Sequence, residues 1–143
     1  MHKKTLAIII SMLLLSLGTE TSIVAAKTNQ YNHDYIVVYN AQNQKITTIT
    51  SKKGINYLSD FAGDVGGNEK GIHKKLTNNA QLSYKYVFHS GKKSKLSYKL
   101  NLYVYPNVKE VKMTNLPIVS NGVWQIDKKQ LHKLDNPKKF NNN

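Results

Sequence analysis

The 143-residue chain has no cysteine and no arginine, and it sets only 8 acidic residues against 21 lysines. Without cysteine there is no disulfide framework, no thiol nucleophile and no lipid-modified cysteine, so the fold must rest on packing alone. Without arginine there is no planar fork to read guanine edges or to clamp a carboxylate from two sides. The scarce acids make the paired carboxylates of glycoside hydrolysis hard to assemble. Catalytic signatures are missing as well. No Gly-x-Ser-x-Gly elbow, His-Glu-x-x-His helix or Gly-Lys-Ser/Thr phosphate loop occurs. His33, His73, His89 and His132 are scattered and read as surface or edge residues. An enzyme is therefore not expected, and no catalytic residue, cofactor or metal site is assigned.

Long apolar runs are absent but for residues 6–17, which fall short of the roughly 20 needed to cross a bilayer. Lys3 and Lys4 precede that run, and Val24-Ala25-Ala26 follows it after a polar stretch. This is the order of a secretory signal peptide. Residues 1–26 are expected to be removed, leaving a secreted chain that begins at Lys27 and has no transmembrane segment. What remains suits one domain. Residues 27–34 read as a flexible polar lead-in, 35–136 as a single α+β domain and 137–143 as a polar C-terminal tail.

Within the domain, Tyr35-Ile-Val-Val-Tyr39 and Lys45-Ile-Thr-Thr-Ile-Thr50 are rich in β-branched and aromatic residues, with Asn40-Ala-Gln-Asn43 as the turn between them. Ser51 can cap a helix running to Ala62, with Gly63 as its stop. Residues 63–71 then read as a Gly-rich acidic loop. Asp60, Asp64, Asn68 and Glu69 offer oxygen ligands there, but not at the spacing of a calcium loop. Residues 72–79 are ambiguous. Leu82, Tyr84, Tyr86 and Phe88 alternate with polar residues, and so do Leu96, Tyr98, Leu100, Leu102 and Val104 after a Ser90-Gly91-Lys92-Lys93 turn. That pattern predicts a long antiparallel hairpin, with Leu82, Tyr86, Leu100 and Leu102 in the core and Lys85 and Lys99 in solvent. Short strands over 108–113 and 123–126 follow. Asp127 and Gln130 form a capping box for a last helix that stops at Asn136-Pro137. The expected fold is α+β: an antiparallel β-sheet dominated by the long hairpin, with one or two short helices on one face.

The formal net charge of +13 is the functional signal. Lysine is a flexible, hydrated point charge suited to diffuse, salt-sensitive attraction. Lys85, Lys92, Lys93, Lys95 and Lys99 gather on the hairpin, and Tyr103 and Tyr105 fall on its polar face. Aromatic rings interleaved with lysines suit stacking against sugars or bases together with electrostatic holding. Tyr84, Tyr86 and Tyr98 belong to the apolar face and are expected in the core. The segment YKYVFHSGKKSKLSYKLNLY resembles the secreted adherence modules of staphylococci, whose β-grasp domains carry a similar turn between long strands. The likeness covers the hairpin, and the N-terminal third departs from it. The expectation is a secreted, non-enzymatic protein of the cell surface or biofilm matrix. Its partner is an anionic extracellular polymer: teichoic acid, acidic polysaccharide or released DNA. The alternative is a secreted inhibitor or adhesin that binds one protein partner through hairpin and loop.

Overall fold

Strands form where β-branched and aromatic residues alternate with polar ones, and helices form where a side-chain cap meets a 3.6-residue apolar stripe. The computed structural model describes residues 31–73, 75–94, 99–116 and 121–142. The expected signal peptide and its cleavage point, together with Lys95, Leu96 and Tyr98, lie outside the described residues. Six strands are present among those described: β1 (Tyr35–Asn40), β2 (Lys45–Ile49), β3 (Tyr84–His89), β4 (Asn101–Tyr105), β5 (Glu110–Thr114) and β6 (Asn121–Gln125). They form one sheet in the order β2-β1-β3-β4-β5-β6, with every pairing antiparallel. Helices α1 (Lys52–Gly66) and α2 (Lys128–Leu134) complete the α+β fold. The β3–β4 hairpin sits at the centre of the sheet, pairing Tyr84 with Val104 and Tyr86 with Leu102.

One face of the sheet is the core. Ile36, Val38, Ile49, Tyr86, Phe88, Leu102, Val104, Val111, Met113 and Trp124 pack there against Leu58, Phe61 and Ala62 of α1 and Leu134 of α2. Ser51 caps α1 through the Gly54 N–H, at 3.0 Å. The capping box of α2 has both of its bonds, Gln130 N–H to Asp127 Oδ1 at 2.7 Å and Asp127 N–H to Gln130 Oε1 at 3.0 Å. Tyr86 is buried and donates its hydroxyl to the Leu134 carbonyl, which ties β3 to the end of α2. Burial pushes that hydroxyl's pKa well up, with smaller contributions from Tyr84, Asp135 and Tyr57.

Several expectations need correction. Helix α1 does not stop at Gly63 but runs on to the buried Gly66, and the Gly67 N–H closes it on the Gly63 and Val65 carbonyls. The described residues of the ambiguous segment 72–79 form no helix. His73 instead forms an isolated bridge to Val123 at the β6 edge, with N–H···O distances of 2.7 and 3.3 Å. Leu82 lies outside β3 and is only half-buried, and Lys85 is half-buried rather than fully in solvent. The C-terminal segment is no tail. Pro137–Asn141 forms a 3₁₀ turn whose Phe140 enters the core, stacked on Tyr57 at 5.6 Å and edge-on to Tyr86 at 6.3 Å. Asn141 then bonds the Thr48 carbonyl and the Thr50 N–H, covering part of the β2 edge. In the N-terminal lead-in, residues 31–34 lie against the β3–β4 connection. The Tyr31 and Asn32 carbonyls accept from Lys92 and Lys93 N–H, and Asp34 Oδ1 accepts from Gly91 N–H.

Candidate functional site

Core residues take alternate positions on each strand, so the intervening residues share the face turned away from the helices. The register sets five of them in one row across five strands. Lys45 of β2 pairs with Tyr39 of β1, Tyr39 with Lys85 of β3, Lys85 with Tyr103 of β4, and Tyr103 with Lys112 of β5. The row reads Lys-Tyr-Lys-Tyr-Lys. Lys45 enters it because a register shift between Val38 and Tyr39 brings it opposite Tyr39. Strands lie roughly 5 Å apart, so each lysine stands two strands, about 10 Å, from the next along the row. Lys85 Nζ lies 5.6 Å from the centre of the Tyr103 ring, a cation–π contact that holds the ammonium on this face.

One carboxyl adjoins the row. Glu110 is the one carboxyl among the described strand positions, opposite Tyr105, and it is 3 % exposed. Thr77, reaching over from the connection between α1 and β3, covers it: its N–H donates to Oε2 at 3.0 Å and its hydroxyl to Oε1. Toward the other end of the strands, His89 stacks on Tyr35 at 4.8 Å, and Tyr35 meets Tyr31 at 4.6 Å. Burial, and then the charge of Lys99, lower the His89 pKa below its usual 6.5. His89 Nε2 is buried without a hydrogen-bond partner. Burial followed by Tyr103 raises the Tyr105 hydroxyl pKa. The face is thus cationic and aromatic, with one buried carboxyl beside the row.

The expected site residues divide. Lys85 and Tyr103 come together in the row, with Tyr105 on the same strand beside Glu110. Lys99 is exposed near His89. Lys92 and Lys93 lie past the end of β3, where their backbone N–H groups are held by residues 31 and 32, and they do not join the row. Lys95 lies outside the described residues. Tyr39, Lys45 and Lys112 were missed, since each is separated from the hairpin in sequence and joins it only through strand register. The alternation in Tyr35-Ile-Val-Val-Tyr39 was a signal that Tyr39 faces away from Val38, but nothing local revealed its neighbours. Trp124 is 1 % exposed and gives its indole N–H to the Asn68 carbonyl at 3.2 Å, so it serves the core. Asp60 and Asp64 are carried on α1, apart from Glu69 in a separate 3₁₀ turn. Among the described residues no group of three or more His, Asp or Glu side chains could hold a metal ion. No family model, curated protein or solved structure matches the chain, and the hairpin's resemblance to adherence modules gains no support from them.

Proposed function

We propose that this is a secreted, non-enzymatic protein that binds an anionic polymer at the cell surface or in the extracellular matrix, through the sheet face opposite its helices. The observation that carries the proposal is the Lys45–Tyr39–Lys85–Tyr103–Lys112 row. Three ammonium groups at a regular two-strand step suit a chain laid across the strands, with its anionic groups on the lysines and its intervening rings or carbons on the tyrosines. Lysine without arginine makes the contact tolerant of polymer sequence. Export rests on the N-terminal sequence, with its short apolar run and small-residue site.

The test is binding of the full chain to teichoic acid, a polyuronate and single-stranded DNA over a salt series. With three lysines engaged, log K should fall against log salt with a slope of about −2 to −3. Binding to all three polymers that is absent or flat with salt would reject the polyanion reading. Salt-independent capture of a single protein from cell-wall extract would then favour the inhibitor or adhesin alternative.

A further inference from the structure

On the other side of the sheet the two helices and the C-terminal turn line an open cleft of about 230 Å³. Lys53 and Tyr57 of α1, His132 and Lys133 of α2, and Lys139 and Phe140 of the C-terminal turn line it. Its apolar wall is the Tyr57–Phe140 pair, stacked at 5.6 Å with 29° between the rings. Lys133 Nζ stands 4.3 Å from the centre of the Tyr57 ring, at the edge of that wall. No carboxylate is among the described residues that line it. Asp127 is the acid felt by the Tyr57 hydroxyl, whose pKa is raised by burial first and by Asp127 second. Asn136 closes one end by donating its side-chain amide to the His132 carbonyl at 2.7 Å. Helix α1 and the C-terminal turn can meet this closely because position 54 is glycine: a Cβ there would lie 2.6 Å from the Phe140 carbonyl oxygen.

We infer that this cleft binds a small aromatic acid. The ring lies against Tyr57 and Phe140, and the carboxylate or phosphate is held by Lys53 and Lys133. Size and charge both point that way. An apolar cavity of about 150 Å³ takes a benzene ring, so this one has room for a ring and one acidic group. Cations around an aromatic wall, with no acid among the described lining residues, favour an anion over a neutral or cationic ring. The site is independent of the polymer-binding face, and neither reading requires the other.

Titration of the ¹⁵N-labelled full chain, followed by amide shifts, tests it with four probes: benzoate, phenyl phosphate, benzyl alcohol and inorganic phosphate. Benzoate or phenyl phosphate should give saturable shifts confined to residues 53–57 and 132–140, binding about tenfold or more tighter than benzyl alcohol or inorganic phosphate. The tighter of the two acids identifies the head group. Lys133→Gln and Lys53→Gln are surface changes that leave the fold intact, and each should weaken binding about fivefold or more. Lys45→Gln, on the opposite face, should leave it unchanged. The inference is overturned by the absence of saturable shifts with both acids, by equal binding of benzyl alcohol or inorganic phosphate, or by unchanged affinity in both cleft variants.

Discussion

A Cβ on Gly122 would fall 2.4 Å from the Trp124 ring, which lies over this residue two positions along the same strand. Trp124 is fixed in turn by core packing and by its bond to Asn68. Gly122→Ala should therefore destabilise the fold by about 1–3 kcal/mol, through the overpacking it forces. Gly63, in α1, is the counterpart. A Cβ there meets nothing within 4 Å and the residue is exposed, so Gly63→Ala should stabilise by about 0.5–1 kcal/mol. Urea unfolding of both variants checks the pair, and shifts of the same sign would show that one environment is misassigned. His89 reports on the open face. Its folded pKa lies below 6.5, so under pH 6.5 the unfolded chain takes up a proton that the folded chain resists. Stability is fully present above 6.5 and falls as pH drops toward the depressed value. His89→Gln should flatten that pH dependence. Polyanion bound beside Lys99 should offset the positive field and raise the His89 pKa, which an NMR titration with and without polymer measures.

At the scale of elements, the C-terminal turn carries the clearest prediction. Phe140 is buried to 9 % exposure between Tyr57 and Tyr86, and its carbonyl accepts from the Ser51 hydroxyl that caps α1. Phe140→Ala should cost about 3–5 kcal/mol, whereas a change in a solvated tail would stay within about 0.5 kcal/mol. A denaturation midpoint separates the two. Lys-Lys-Phe-Asn beyond a proline reads as polar, and its one aromatic had no periodic partner, so its burial depended on a groove that exists only after α1 and the sheet have formed. Local devices were legible. The Asp127–Gln130 capping box, the Ser51 cap and the turn at Asn40 depend on residues within four positions of one another. The alternation around Tyr86 and Leu102 also revealed the central hairpin, because a strand's period is written in its own residues. The end of α1 was misread because Gly63 is an ordinary stop signal, whereas the chain keeps one more helical turn and is closed by the Gly67 N–H on the Gly63 carbonyl.

The whole molecule is a sheet with two unlike faces, one closed by helices and the other carrying lysine and tyrosine. Its sheet order puts a crossover through α1 between β2 and β3, so the N-terminal hairpin and the β3-to-β6 meander become neighbours through β1 and β3. That junction, distant in sequence, aligns Tyr39 with Lys85 and makes a row out of residues that looked unrelated. The candidate site was thus half legible: its lysine-rich character could be read, but its geometry depended on register between remote strands. The measurement that tests the account most directly compares two triple variants of equal charge. Lys45→Gln/Lys85→Gln/Lys112→Gln removes the row. Lys52→Gln/Lys70→Gln/Lys128→Gln removes three exposed cations outside it. Polymer binding is measured for both across a salt series, with circular dichroism as the folding control. The account predicts that the row variant loses binding and most of its salt slope, while the other keeps nearly all of both. Equal losses in the two would show that net charge, and not the Lys-Tyr-Lys-Tyr-Lys row, does the binding.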